Sequence, residues 1–117
     1  MMEFFGTVIS GDGIGKTLGF PTINMSTEEI LTETGVFSVH IQFLHDPQKF
    51  VGILHLGPRP TLHKLEKRVE IFVLNFSKTV LNGTMVKVSM GKKIRDVQKF
   101  DSLDDLKIQI QKDIEMI

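Results

Sequence analysis

Apolar residues recur at every second position through most of the chain and at helical spacing only near its end. In VFSVHIQF, residues 36–43, Phe37, Val39, Ile41 and Phe43 alternate with Ser38, His40 and Gln42. That period belongs to a strand with one buried face. RVEIFVLNF, from Arg68 to Phe76, is apolar on both faces and rich in β-branched and aromatic residues, which predicts a central strand. TMVKVSM alternates again, Val86 and Val88 being opposed to Lys87 and Ser89. FFGTVI near the start and FVGILHL from Phe50 to Leu56 are shorter candidates, each with a glycine that marks a bulge or a close backbone approach. Turn signals stand at Asp46-Pro47, Gly57-Pro58, Asn82-Gly83 and Gly91. From Ser102 the period changes: Leu103, Leu106, Ile110, Ile114 and Ile117 form one helical stripe, and Ser102 with Asp105 three residues later is a capping-box-like start. One helix cannot cover both faces of a sheet of five or more strands. The pattern therefore predicts a closed or half-closed antiparallel barrel with the helix on its outside or across one end.

Composition narrows the class without naming it. The 117 residues make one domain, 1–117, with 41% hydrophobic and 24% charged residues, as in a soluble globular protein. Lys+Arg and Asp+Glu both count 14, so no global field draws nucleic acid or an anionic membrane, and partners must be recognised by a local site. Cysteine is absent, which removes disulfides, thiolate metal sites and a cysteine nucleophile. No apolar run approaches the roughly 18 residues of a membrane span, and the start does not read as a signal peptide, so a cytoplasmic location is expected.

The stretch SGDGIGKTLGFPTINM, Ser10 to Met25, carries the first chemical signal. Gly15-Lys16-Thr17 supplies the second half of a P-loop, but Ser10 stands where the first glycine is needed, and Gly19 and Pro21 fall where the helix should begin. The dinucleotide fingerprint fails as well. Two readings stay open: a glycine-rich turn whose amides and Lys16 hold an anion, or a long hairpin connection with a solvated lysine. Thr22 and Asn24 follow, two residues apart, so an extended backbone points both to one side. Their neutral oxygens suit a Mg²⁺ that completes its shell with phosphates and water, or else they bond their own backbone in a turn.

Glu70 is the odd residue of its strand, sharing a face with Phe72, Leu74 and Phe76. A carboxylate there costs several kcal/mol unless paired or placed at the mouth of a cavity. It pairs with Arg68 or Lys67 near the rim, or it serves as a general base whose pKa is raised by its surroundings. His40, His45, His55 and His63 lack zinc-cluster spacing and read as surface or rim residues. Arg59, in a stiff Gly-Pro-Arg-Pro-Thr loop, could grip an anion, and Arg95 could line a pocket mouth or pair with Asp96 or the surroundings of Asp101.

In order along the chain, Leu18-Gly19-Phe20-Pro21-Thr22-Ile23-Asn24, Gly35-Val36-Phe37, Leu56-Gly57-Pro58-Arg59-Pro60-Thr61, Val69-Glu70, and Ile94-Arg95 leading to Lys99-Phe100-Asp101-Ser102-Leu103 resemble the riboflavin kinase family. The family's hallmark is Gly-[FI]-Pro-Thr-Ala-Asn, from which only Ile23 departs. The resemblance implies a six-stranded antiparallel Greek-key β-barrel with a C-terminal helix packed against it, and transfer of the ATP γ-phosphate to the 5′-hydroxyl of riboflavin to give FMN. It implies Thr22 and Asn24 as ligands of Mg²⁺, with Zn²⁺ or Mn²⁺ as substitutes. Gly11, Gly13, Gly15, Lys16, Gly19 and Pro21 would form a flap on the nucleotide, Glu70 would be the base, and Arg95 would belong to a gate over the flavin. Departures are Asn82-Gly83 in place of Tyr-Gly, Val80 in place of an acid, Phe72 in place of a histidine, and Asp12 and Ile14 in place of loop arginines. The alternative within the same fold is a flavin- or nucleotide-binding module that transfers nothing. Implied partners are the small molecules riboflavin, FMN, ATP and ADP, with no nucleic acid and no membrane. In many bacteria such a module is also joined to an FMN adenylyltransferase half.

Overall fold

A computed structural model of the chain describes residues 2–9, 22–28, 33–57, 68–76 and 80–117. Within them the alternating segments become six strands: β1 (Glu3–Ile9), β2 (Thr22–Ser26), β3 (Gly35–Phe43), β4 (Lys49–Leu56), β5 (Arg68–Val73) and β6 (Met85–Arg95). All pairings are antiparallel, and the sheet closes in the order β1-β2-β5-β4-β3-β6, so no strand edge is left to solvent. Placing β6 beside β3, beyond β4 and β5, is the Greek-key step.

Closure sorts each strand's alternate residues into two environments. Inward-facing Ile23 and Met25, Val69, Ile71 and Val73, Leu54 and Leu56, and Phe37, Val39 and Ile41 form one buried cluster. Phe43, Phe50 and Phe76 cap it, with Phe50 and Phe76 edge to face at 5.1 Å between centroids. The outward residues Val36, Ile53 and Phe72 form a second cluster with Ile110 of the helix α1 (Leu103–Glu115), flanked by Leu106, Ile114 and Ile94. The helix therefore packs on the outside of the barrel, over β3, β4 and β5. Ser102 caps it as expected, its hydroxyl accepting from the Asp105 amide at 3.1 Å. The helix stops at Glu115, and Ile117, expected on the buried stripe, is 49% exposed.

Two boundaries differ from the pattern. β5 stops at Val73, because Leu74 and Asn75 turn, with Asn75 at φ 54°, and Phe76 re-enters the core. β6 runs on through Gly91, which was expected to be a turn. Between Val39↔Met90 and Phe37↔Lys93 the longer strand gains one residue, a bulge over which the Lys92 amide donates to Ser38 Oγ at 3.0 Å. Here Gly91 serves a close approach: a Cβ would stand 2.7 Å from the Ser38 carbonyl oxygen.

Candidate active site

Strand register brings Thr22, Asn24 and Glu70 together. Asn24 of β2 is the direct partner of Glu70 of β5, and Thr22 is the partner of Phe72. Directly opposed residues of antiparallel strands present their side chains on one face. Ile23 and Met25 take the core face of β2, which leaves Thr22 and Asn24 on the outer wall. Val69 and Ile71 likewise leave Glu70 and Phe72 outside. The row continues to β4, where His55 pairs with Glu70, and to β3, where Val36 pairs with His55. It ends at Arg95 of β6, the partner of Val36. A hydroxyl, an amide and a carboxylate from two separate stretches of chain thus share one patch at the margin of the wall that α1 covers.

Within this patch Asn24 is 6% exposed, Glu70 and Thr22 are half-buried, and Asn24 Oδ1 has no hydrogen-bond partner among the described residues. A buried acceptor left unpaired costs about 1–3 kcal/mol. Such a group calls for an explanation, and a ligand it would coordinate is one. Among the described residues no three His, Cys, Asp or Glu side chains gather as a metal cluster. A metal here would be held by neutral oxygens, Asn24 Oδ1 and the Thr22 hydroxyl, and would take its remaining ligands from phosphates and water. Such hard oxygen donors, completed by phosphates and water, are of the kind Mg²⁺ accepts. The residues present fit that ion.

Arg95 has a different setting from a bare pocket mouth. Its Nε and Nη2 donate to the two carboxylate oxygens of Asp113, each at 2.9 Å, and Nη1 donates to the Asp96 carbonyl at 3.1 Å. The guanidinium also lies over the Phe100 ring, 5.7 Å from its centroid. Asp113 is 1% exposed and accepts a third bond from Gln109 Nε2 at 3.0 Å. The sequence reading anticipated Asp96 or the surroundings of Asp101 as the partner and overlooked Asp113. Its signal was available: Asp113 stands three residues after Ile110 and seven after Leu106, on the apolar stripe itself.

Nearby, Lys93 bridges Asp96 at 2.8 Å and Glu33 at 3.5 Å. The hydrogen bond from Lys93 holds the Asp96 carboxyl below its usual range, and the bond to Asp96 raises Lys93. Gly11, Gly13, Gly15, Lys16, Gly19 and Pro21 lie outside the described residues, as do Arg59, Lys67 and His63. β1 ends at Ile9, the partner of Asn24, and β2 begins at Thr22, so the segment 10–21 joins two strands at the candidate site. His40 and His45 are exposed, whereas His55 is half-buried in the row beside Glu70 and was not singled out from the sequence. A cavity of about 330 Å³ beside the β3–β4 turn, bordered by Phe5, Leu44 and Met85, shares no residue with this row.

Comparisons with known proteins bear on the family and not on single residues. The family model for riboflavin kinase (flavokinase) matches residues 1–117. The bifunctional riboflavin kinase/FMN adenylyltransferase of Haemophilus influenzae is 40% identical over 114 residues, covering 97% of this chain and 36% of the relative. That of Escherichia coli K12 is 36% identical over 109 residues, 92% of this chain and 34% of the relative. The RNA-binding riboflavin kinase RibR of Bacillus subtilis is 37% identical over 113 residues, 96% of this chain and 48% of the relative. A crystal structure of a macrolide-efflux protein from Streptococcus pneumoniae superposes with a TM-score of 0.86 at 30% identity, over 97% of this chain and 37% of that one. The chain spans less than half the length of each of these proteins.

Proposed function

Because the chain belongs to the riboflavin kinase family, we propose that it transfers the γ-phosphate of ATP to the 5′-hydroxyl of riboflavin, giving FMN and ADP. The observation that carries this reading is the β2–β5 register, which sets Asn24, with its unpartnered buried oxygen, directly across from Glu70. In the proposed reaction Glu70 accepts the proton of the attacking hydroxyl, the ribityl oxygen bonds to the γ-phosphorus, and the bond to the ADP oxygen breaks. Thr22 and Asn24 would hold a Mg²⁺, which when bound neutralises phosphate charge at the point of transfer. The glycines of 10–21 with Lys16 would cover the nucleotide from the connection between Ile9, the strand partner of Asn24, and Thr22. Arg95 acts on the flavin through its anchoring role: fastened to Asp113 and stacked on Phe100, it fixes the start of the 96–102 segment that would cover the isoalloxazine ring.

Most of each bifunctional relative lies outside the length this chain matches, and an FMN adenylyltransferase domain acting on the product is part of the proposal. A location in the cytoplasm is part of the same proposal. No described helix is long and apolar enough to cross a membrane. The test is incubation of the chain with riboflavin, ATP and Mg²⁺, with FMN resolved by chromatography. FMN formation that stops without divalent metal is the expected result. Calorimetric flavin binding with no FMN at any Mg²⁺ concentration would reassign the chain as a binding module.

A further inference from the structure

Each nitrogen of the Arg95 guanidinium already donates within the protein: Nε and Nη2 to Asp113 at 2.9 Å, and Nη1 to the Asp96 carbonyl at 3.1 Å. Those bonds commit the edge of the group to the fold. Its faces remain, and a guanidinium face takes planar rings. One of them carries the ring of Phe100, at 5.7 Å from the centroid. Asp113, which fixes the guanidinium, is 1% exposed and is held in turn by Gln109. The phenyl ring therefore rests on a fastened post.

Phe100 is half-buried and belongs to neither apolar cluster of the described residues. Val97 and Phe100 are the two apolar side chains between Arg95 and Ser102, among Asp96, Gln98, Lys99 and Asp101, all exposed. Val97 serves the barrel: a Cβ on Gly57 would come within 3.3 Å of one of its methyls, so it lies against the bare Gly57 backbone. The cation holds Phe100 in place without burying it. The position also fits the length of the substrate. From Glu70 the row crosses β4 and β3 before it reaches Arg95 on β6, three strand spacings and thus at most about 14 Å. A five-carbon ribityl chain followed by three fused rings spans such a gap, so a hydroxyl at Glu70 leaves the ring system at Arg95 and Phe100.

We propose that Phe100 is a specificity-determining residue for the ring system of the substrate: the isoalloxazine stacks against the phenyl ring that Arg95 holds in place. This rests on the riboflavin kinase reading and on segment 96–102 as the cover of the flavin. A planar fused-ring ligand gains from aromatic faces in offset contact, and a phenyl already ordered on its cation loses little freedom when the ligand arrives. Recognition is thereby divided. Arg95 is the post and Phe100 is the contact.

The test uses the 117-residue chain with riboflavin, ATP and Mg²⁺ and compares Phe100→Ala, Phe100→Leu and Phe100→Tyr. Phe100→Ala should raise the KM for riboflavin about tenfold, leave the KM for ATP unchanged and shift the urea midpoint little, since the side chain belongs to no core cluster. Phe100→Leu, apolar but without a ring, should show the same rise, whereas Phe100→Tyr should return the KM to within about twofold of the parent. Proton NMR of bound riboflavin gives a readout apart from turnover: the isoalloxazine methyl signals should move upfield in the parent and in Phe100→Tyr, and not in Phe100→Leu. An unchanged riboflavin KM in Phe100→Ala, a leucine variant as good as the parent, or equal rises in the KM for riboflavin and for ATP would each overturn the proposal. If Phe100→Ala does not fold, the leucine and tyrosine variants decide it by the same criteria. A parent chain that neither binds riboflavin nor forms FMN would overturn the riboflavin reading itself and this assignment with it, an outcome distinct from indifferent Phe100 variants of an active parent.

Discussion

Two polar side chains are buried among the described residues, and they are treated in opposite ways. Asp113, on the helix that packs against the barrel wall, receives Arg95 Nε and Nη2 and Gln109 Nε2, three donors on two oxygens. Asn24, on β2, has an acceptor with none among the described residues. A burial fully satisfied from within is a fastening, because the protein completes the interaction itself. A burial left incomplete is maintained against its own cost, as happens where a ligand completes the shell. Buried polarity alone therefore does not mark function. Whether the partners are already present does.

The sharpest challenge to that contrast is chemical. Glu70→Gln should reduce FMN formation by about 10²- to 10⁴-fold, the usual worth of a general base, with flavin affinity by calorimetry nearly unchanged. Next in size is the fastening. Asp113→Ala leaves the Arg95 guanidinium, whose side chain is 16% exposed, without its carboxylate. It should destabilise the fold by about 3–5 kcal/mol in urea titrations, and an Asp113→Ala variant as stable as the parent would dissolve the distinction drawn above. Asn24→Val should act in the opposite direction. Removing an unpaired acceptor should raise the ligand-free stability by about 1 kcal/mol while Mg²⁺-dependent turnover disappears. A destabilised Asn24→Val would return Asn24 to a structural role.

The smallest effects belong to the exposed pairs. Lys87 holds the Glu3 carboxyl below its usual range, chiefly through a hydrogen bond, at 2.8 Å, and Lys93 does the same for Asp96. Groups depressed on folding contribute stability above the ordinary carboxylate range and lose it as pH falls through their folded values. The Lys87→Met variant should therefore shift the urea midpoint slightly near neutral pH, converge with the parent in acid, and lose even the neutral difference in high salt.

What the sequence disclosed follows from the range over which each signal acts. Alternation in VFSVHIQF and the stripe from Leu106 to Ile114 are local, and the strands and the helix appeared where they point. That Thr22 and Asn24 share one side was local too, a matter of period two. That Glu70 faces Asn24 rather than some other residue of β2 is a property of register between segments 46 positions apart, which no local pattern encodes. The same blindness hid Asp113 from Arg95, since that meeting depends on how distant elements dock. Leu74 and Phe76 were placed on Glu70's face by extending the period beyond Val73, and the turn at Asn75 broke that count.

One consequence of the closed sheet concerns how such a protein can change. β5 is bonded on both flanks, to β2 and to β4, so a single inserted or deleted residue before Glu70 would rotate the acid into the oil of the barrel and expel a valine or isoleucine in exchange. Damage to the reaction and damage to folding would then be the same lesion, and mutational drift in this wall would be purged twice over. Innovation in what the scaffold recognises is left to the connections at the barrel's ends.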